Sequence, residues 1–419
     1  MKNKLLIILA LLPLVAGAQV KKTITFSDYI EQVREKNLTY AAEKLNIPIA
    51  DADIRSAKIF NDPSLSFEYA YNDDHRMQMG QSMSAELSKT FSPGKRGARI
   101  NLARSEKEMT IALLEDFFRN LRADAAIAYF EALKQSELYA VKLDSYHSIN
   151  ELAKADSTKF LLGKITEVDA LQSRLEAGVI YNELLQGQSD LHNAYAALNI
   201  PLGQFSIDTL YVPVGALEIT IRDFTLDNLL AMALKNRSDL VAALKNIDVA
   251  KKALNLARKE KYMDFDVSLG YNYNTEVRNE LAPAPKFNGA TIGIAIPLKF
   301  SNSNKGTVQS ASLKASQAEN YFHQAELEVQ TEVLQNYNTY RSLCLQVARF
   351  NNGMLTEARA VLNGKRYSYN RGETSLLEVL NAQRTYNEVR ALHTETLFSH
   401  AASLVSLERS TGIWDVDIN

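Results

Sequence analysis

Cysteine is almost missing from this 419-residue chain, which has only Cys344. A single thiol closes no intrachain disulfide, so the fold must rest on packing. Cys344 sits in a helical pattern and reads as a small core residue. Proline and glycine are also scarce, at 9 and 17 residues; that excludes a loop-rich chain and favours long uninterrupted elements. Charge of one sign is lacking: 47 Lys and Arg face 49 Asp and Glu, for a net charge of −2. This balance argues against a nucleic-acid partner and against a polybasic membrane patch. After residue 18 no run is apolar for long enough to cross a bilayer as a helix. The G-x-S-x-G and H-E-x-x-H patterns are absent, and "GKR" at 94–96 lacks the GxxxxGK[ST] spacing of a phosphate loop. The six histidines have no i,i+4 pair and none stands beside cysteine. The expectation is a chain with no enzymatic activity, cofactor or metal centre. "HRMQMGQSM" gathers His75, Met77, Met79 and Met83, and thioethers suit soft metals. An extracellular hairpin running into apolar strand positions is the expected reading there.

What is present begins with export. Lys2 and Lys4 precede an apolar run from Leu5 to Val15, and Ala16-Gly17-Ala18 is a small-residue cleavage site. Residues 1–18 are expected to be a signal peptide, cut before Gln19. No cysteine follows the cut, so no lipoprotein anchor is expected.

The rest reads twice. Gly163 in "LLGKITEVDALQSRLEA" and Gly372 in "YNRGETSLLEVLNAQRTYNE" stand 209 residues apart. At the same offset Gly97 meets Gly306 and Gly203 meets Gly412. "SLSFEYAYN" (64–72) matches "DVSLGYNYN" (266–274) at an offset of 202, so the second copy has the longer hairpin loop. We read a first repeat at 19–205, a linker with short strands at 206–224, a second repeat at 225–412 and a tail at 413–419. Each repeat orders a helix (27–60 and 225–262), two strands (64–72 and 80–91; 265–274 and 289–300), a very long helix (98–162 and 305–370), a glycine turn and a last helix. Ala311, Ala315, Ala318, Phe322, Ala325, Val329, Val333, Tyr337, Tyr340, Cys344 and Val347 step by three or four. This is a coiled-coil-like stripe, and at about 1.5 Å per residue such a helix approaches roughly 100 Å.

The strands alternate. Leu65, Phe67, Tyr69 and Tyr71 share a face, as do Val267, Leu269, Tyr271 and Tyr273, and Ile292, Ile294, Ile296, Leu298 and Phe300. The opposite faces are small or polar. The length suits a tilted transmembrane strand, and tyrosines at strand ends suit an aromatic girdle. Open sheet edges are not tolerated in lipid. Once membrane placement is granted, four strands per chain require closure with other copies, and a homotrimer gives a barrel of twelve. Pro93 and Pro297 then mark the strand-to-helix junction, with Lys89, Lys95, Arg96 and Arg99 reaching lipid headgroups.

With these features the chain resembles the TolC-like outer-membrane efflux factors over nearly its whole length. The resemblance is carried by the duplicated order, by "YSYNRGETSLLEVLNAQRTYNEVR" and by "LLGKITEVDALQSRLEAG". "ELSKTFSPGKRGARINLARSE" is further similar to outer-membrane components of cobalt–zinc–cadmium efflux. The resemblance implies a mainly α fold with transmembrane β: a trimeric 12-stranded barrel continuous with an α-helical periplasmic barrel. It implies a passive exit duct for small solutes, heavy-metal ions or drugs, with a periplasmic adaptor and an inner-membrane pump of the resistance–nodulation–division type as partners. The turns at Gly163 and Gly372 become periplasmic tips that form a gate. Tyr369 and Glu378 match gate positions, Asn381 stands where some members carry an acidic ring, and Asp169 and Arg174 match partners in polar links. Two other readings remain open: a duct for secreted polypeptides, and a soluble periplasmic coiled-coil scaffold.

Overall fold

The computed structural model describes residues 20–71, 79–205, 209–298 and 304–415. The proposed signal peptide, His75, Met77 and Phe300 lie outside the described residues. The elements, in chain order, are β1 (Val20–Ile24), α1 (Phe26–Lys36), α2 (Leu38–Lys44), α3 (Asn46–Ala57), β2 (Ser64–Tyr71), β3 (Gln81–Phe91), α4 (Lys95–Leu161), α5 (Glu167–Ala197) and β4 (Thr209–Pro213). They continue with α6 (Leu226–Asn236), α7 (Ser238–Lys259), β5 (Phe265–Asn274), β6 (Phe287–Ala295), α8 (Lys305–Arg349), α9 (Leu355–Asn370) and α10 (Leu376–Thr411). None of the described helices is long and apolar enough to cross a membrane.

Two compact units divide the chain. One comprises Met1–Ala41, Phe117–Lys235 and Thr331–Asn419; the other comprises Ala42–Asp116 and Asn236–Gln330. The second unit holds an antiparallel sheet in the order β2-β3-β5-β6. Its register lines up Leu65, Leu87, Leu269 and Ile292 in one row across all four strands. The neighbouring row on the other face is Ser66, Glu86, Gly270 and Thr291. One face is thus mainly apolar, with Gln81, Lys89 and Asn288 towards its ends, and its large apolar side chains are largely exposed. The other is crowded: a Cβ added to Gly293 would stand 2.6 Å from Ser268 Oγ, and one added to Gly289 2.3 Å from Asn272 Oδ1. Gly289 and Gly293 thus leave space for the Asn272 and Ser268 side chains on that face, while the large aliphatics lie on the other.

The other unit is cored by aromatics. Phe26 lies 5.4 Å from Tyr129 and 5.6 Å from Phe130 between ring centroids. The Tyr129 hydroxyl sits 2.9 Å from the Ile24 carbonyl oxygen and 2.7 Å from that of Val214. It thereby ties together the flanks of β1 and β4, which pair in parallel. The linker strand was expected from the sequence; its partner β1 was not. Cys344 is half-buried, with Sγ 3.5 Å from Nε2 of the buried His400.

Four expectations need correction. The helix at 27–60 is three helices. Asn37 has extended backbone (ψ 120), and its Oδ1 accepts the Tyr40 amide at 2.8 Å, capping α2. The helix at 225–262 breaks at Arg237, also extended. The helix at 305–370 is interrupted at Phe350–Met354, where Gly353 takes φ 111, a conformation open chiefly to glycine. Finally, the strand at 289–300 is β6, Phe287–Ala295. Its ladder ends where β5 begins, at the Asp266–Ala295 pair, and Pro297 beyond it has no N–H to continue.

Candidate functional site

Two helical turns in one unit are built alike. At the first, Gly163 (φ 68) follows α4, and the Lys164 amide donates to the Lys159 carbonyl at 2.9 Å. At the second, Gly372 (φ 77) follows α9, and the Glu373 amide donates to the Ser368 carbonyl at 2.9 Å. Both closures satisfy end-of-helix carbonyls with a left-handed residue. The next helix starts the same way each time. Thr166 Oγ1 accepts the Asp169 amide at 3.2 Å, and Ser375 Oγ accepts the Glu378 amide at 3.4 Å. Ile149, Ala153, Ala177, Ile180, Leu376 and Leu380 form a buried cluster, with Tyr369 packed on it. That cluster fixes α4, α5 and α10 beside one another near the turns.

A polar ladder crosses this apolar packing. Asp156 is fully buried. Its Oδ1 accepts the Tyr369 hydroxyl at 2.9 Å and lies 3.4 Å from Lys159 Nζ. Lys159 Nζ also stands 4.2 Å from the Tyr369 ring centroid. Burial first, and then the Asp156 carboxylate, hold the Tyr369 phenol well above its ordinary pKa, so it remains a neutral donor. Farther from the turns, Arg366 donates to Ser148 Oγ and, at 2.8 Å, to Oε1 of the buried Gln383. Gln383 donates to Asn387 Oδ1 at 2.9 Å, and Asn387 to Ser145 Oγ at 2.6 Å. Burial lowers the Arg366 pKa. At the surface, Lys365 Nζ meets Glu378 Oε2 at 2.5 Å, and Thr374 Oγ1 donates to the same oxygen at 2.7 Å. The hydrogen bonds from Lys365 and Thr374 hold the Glu378 carboxyl below its ordinary value.

The sequence-derived residues fall into place unevenly. Gly163 and Gly372 are the turn residues, and Tyr369 belongs to the ladder. Glu378 is already paired within its own chain, and Asn381 is exposed. Asp169 is half-buried and accepts the Thr166 hydroxyl at 2.7 Å, while Arg174 is exposed. Asp169 and Arg174 form no ion pair with each other, because five positions on a helix separate them by about 140°. Asp156, Lys159, Arg366 and Gln383 were not singled out from the sequence. Asp156 could have been: it continues the apolar spacing of Ile149 and Ala153, where a carboxylate needs a partner.

The strand-to-helix junction lies in the other unit. Pro93 follows β3 and precedes Gly94 (φ 73), which turns the chain into α4. Lys95 was expected to reach headgroups. Instead it is only 7% exposed, and its ammonium meets the Asp264 carboxylate at 2.7 Å. Arg96 stays outward, 4.0 Å over the Phe60 ring, with Nε donating to the Lys58 carbonyl at 2.7 Å. Pro297 follows the end of β6. Among the described residues no group of three or more His, Cys, Asp or Glu could hold a metal ion.

With this geometry in place, comparison with known proteins defines the class. The family model for outer membrane efflux proteins matches residues 229–413. The cobalt-zinc-cadmium resistance protein CzcC of Cupriavidus metallidurans is 25% identical over 376 residues, covering 90% of this chain and 86% of the relative. Outer membrane protein TolC of Vibrio cholerae is 22% identical over 68% of this chain and 66% of its own length. Among solved structures, the fold matches that of the channel CusC with TM-score 0.76 at 17% identity, covering 93% of this chain and 92% of that one. Over residues 229–413, and in its fold, the chain is thus similar to the outer membrane efflux proteins. These homologues are outer-membrane channels extending into the periplasm, not enzymes.

Proposed function

We propose that three copies of this chain form the exit duct of a tripartite efflux system, and that the two helical turns are its periplasmic gate. The observation that carries this reading is the sheet. β2 and β6 are edges without partners in the sheet, and the apolar face is exposed from Leu65 to Ile292. Such a sheet in lipid must be closed by further copies, which makes a twelve-stranded barrel. We read residues 19–205 and 225–412 as two copies of one structural motif, each giving two barrel strands and one helical turn.

The duct is passive; energy comes from an inner-membrane pump joined through a periplasmic adaptor. Leu161 and Leu162 at the first turn are 83% and 65% exposed, an apolar surface suited to such a partner. Glu378, paired with Lys365 in its own chain, would be one of three such ion pairs around the axis, and Asp169 and Arg174, which form no ion pair among the described residues, are available to link neighbouring copies. The resistance named for the Cupriavidus relative points to divalent metal cations as the cargo. Cells deprived of this chain, with adaptor and pump intact, should become more sensitive to cobalt, zinc or cadmium and recover on its return. Unchanged sensitivity overturns the metal assignment. Asp169→Arg with Arg174 intact should raise the conductance of the isolated channel; unchanged conductance removes Asp169 from the gate.

A further inference from the structure

We infer that the first strand-to-helix junction carries a binding pocket for the phosphate of an anionic phospholipid headgroup. The inference rests on the barrel reading above, which puts this junction at the membrane boundary.

The pocket lies beside the start of α4 and has a volume of about 310 Å³. Phe60, Phe91 and Phe265 supply aromatic walls, with Phe91 and Phe265 stacked at 5.4 Å. Lys89, Arg96 and Arg99 supply three cations, and no carboxylate lines the pocket. Two acids of the neighbouring strand β5 and its approach are already engaged. Asp264 is held by Lys95 at 2.7 Å, and Asp266 accepts the Thr90 hydroxyl at 2.5 Å. Lys89 lies 5.7 Å from the Phe60 ring and 5.8 Å from the Phe91 ring, so its charge is offered at the pocket wall without an ion pair. Arg96 spends only its Nε on the protein, leaving its terminal nitrogens for a ligand. Arg99 makes no ion pair among the described residues.

Three like charges around one cavity repel one another, and no carboxylate in the lining offsets them. A fold that required only a turn would not need them. At the 209-residue offset of the sequence repeat, Lys89 corresponds to Leu298, Arg96 to Lys305 and Arg99 to Val308. The basic set is therefore particular to one junction. Its chemistry selects the ligand: guanidinium groups bind phosphate through several donors, and the aromatic wall, with Phe60 62% exposed, suits the glycerol and upper acyl region at a membrane boundary. Basic pockets at such levels bind anionic headgroups. A free phosphate ion would use the cations but not the aromatic wall.

The test is native mass spectrometry of the full-length protein released from nanodiscs of equal phosphatidylglycerol and phosphatidylcholine. The wild type is expected to keep phosphatidylglycerol over phosphatidylcholine by about tenfold. Lys89→Gln/Arg96→Gln/Arg99→Gln should fall to parity, with unchanged oligomer mass and circular dichroism. Arg99→Gln alone, which disturbs no contact within the chain, should lose part of the preference and serves if the triple variant fails to fold. Equal retention of both lipids by the wild type overturns the proposal. Displacement of the lipid by millimolar inorganic phosphate, with phosphate itself retained in its place, assigns the site to a free anion and overturns the lipid assignment. A protein that does not enter nanodiscs at all brings down the barrel reading instead, a result recognisable before any lipid is counted.

Discussion

The turn at Gly163 and the turn at Gly372 share a backbone and differ in almost every side chain. Each has a left-handed glycine, a helix-end closure five residues back, and a hydroxyl cap three residues before an acid. Around the first, the chain exposes Leu161, Leu162 and Val168. Around the second it exposes Asn370, Arg371 and Glu373 beside Leu377, the counterpart of Val168, and closes the Lys365–Glu378 pair on itself. The backbone thus sets where each hairpin ends, and the side chains set what it does there. One turn exposes leucines just before its glycine, whereas the other closes an ion pair on itself. The two are tied by Asp156, which reaches from α4 to Tyr369 on α9.

The largest expected effect comes from cutting that tie. Asp156→Ala removes the acceptor of the Tyr369 hydroxyl and the partner of Lys159. It should cost about 2 kcal/mol, the scale of a hydrogen-bonded buried charge whose partner can still reach water. Chemical denaturation would read this as a lower midpoint, and amide exchange should quicken at both turns together. If only α4 responds, the turns are not coupled through Asp156.

A smaller effect tests the shared backbone. Gly163→Ala and Gly372→Ala each force a left-handed alanine, at about 1 kcal/mol. An added Cβ meets nothing within 4 Å at either position, so the two costs should agree within a few tenths of a kcal/mol. A cost several times larger at one turn would show that side-chain packing, not backbone, distinguishes them.

The smallest effect separates the ion-paired turn from the other by pH. Glu378 has a lowered carboxyl pKa in the folded chain. Its contribution is therefore present above the unfolded value, about 4.3, and is lost as pH falls through the lowered one. Amide exchange near Gly372 should rise in that acid range, and Lys365→Gln should abolish the response. Being at the surface, the pair gives a modest signal; an equal response with Lys365 replaced would assign the acid sensitivity elsewhere.

What the sequence made legible follows from the range of each signal. Strand faces were readable because the alternation is local: Leu65, Leu269 and Ile292 could each be placed outward without knowing their neighbours, and the register then joined them in one row. The turns were readable from Gly163 and Gly372 for the same reason. The breaks at Asn37, Arg237 and Gly353 are each one or two non-helical residues between helical segments, too short to end a helical pattern, although Asn37 and Gly353 are themselves cap and breaker residues. The ladder was missed because its partners, Asp156 and Tyr369, are 213 residues apart. Lys95 was misplaced likewise: its basic neighbours suggested an outward set, and only the fold brings Asp264 to it.

The central claim is that the exposed apolar face of the β2-β3-β5-β6 sheet belongs in lipid, closed by further copies. Its most direct test is the native mass of the protein extracted in detergent from outer-membrane fractions. The account predicts a homotrimer of the mature chain in that fraction; a water-soluble monomer, obtained without detergent, would contradict it.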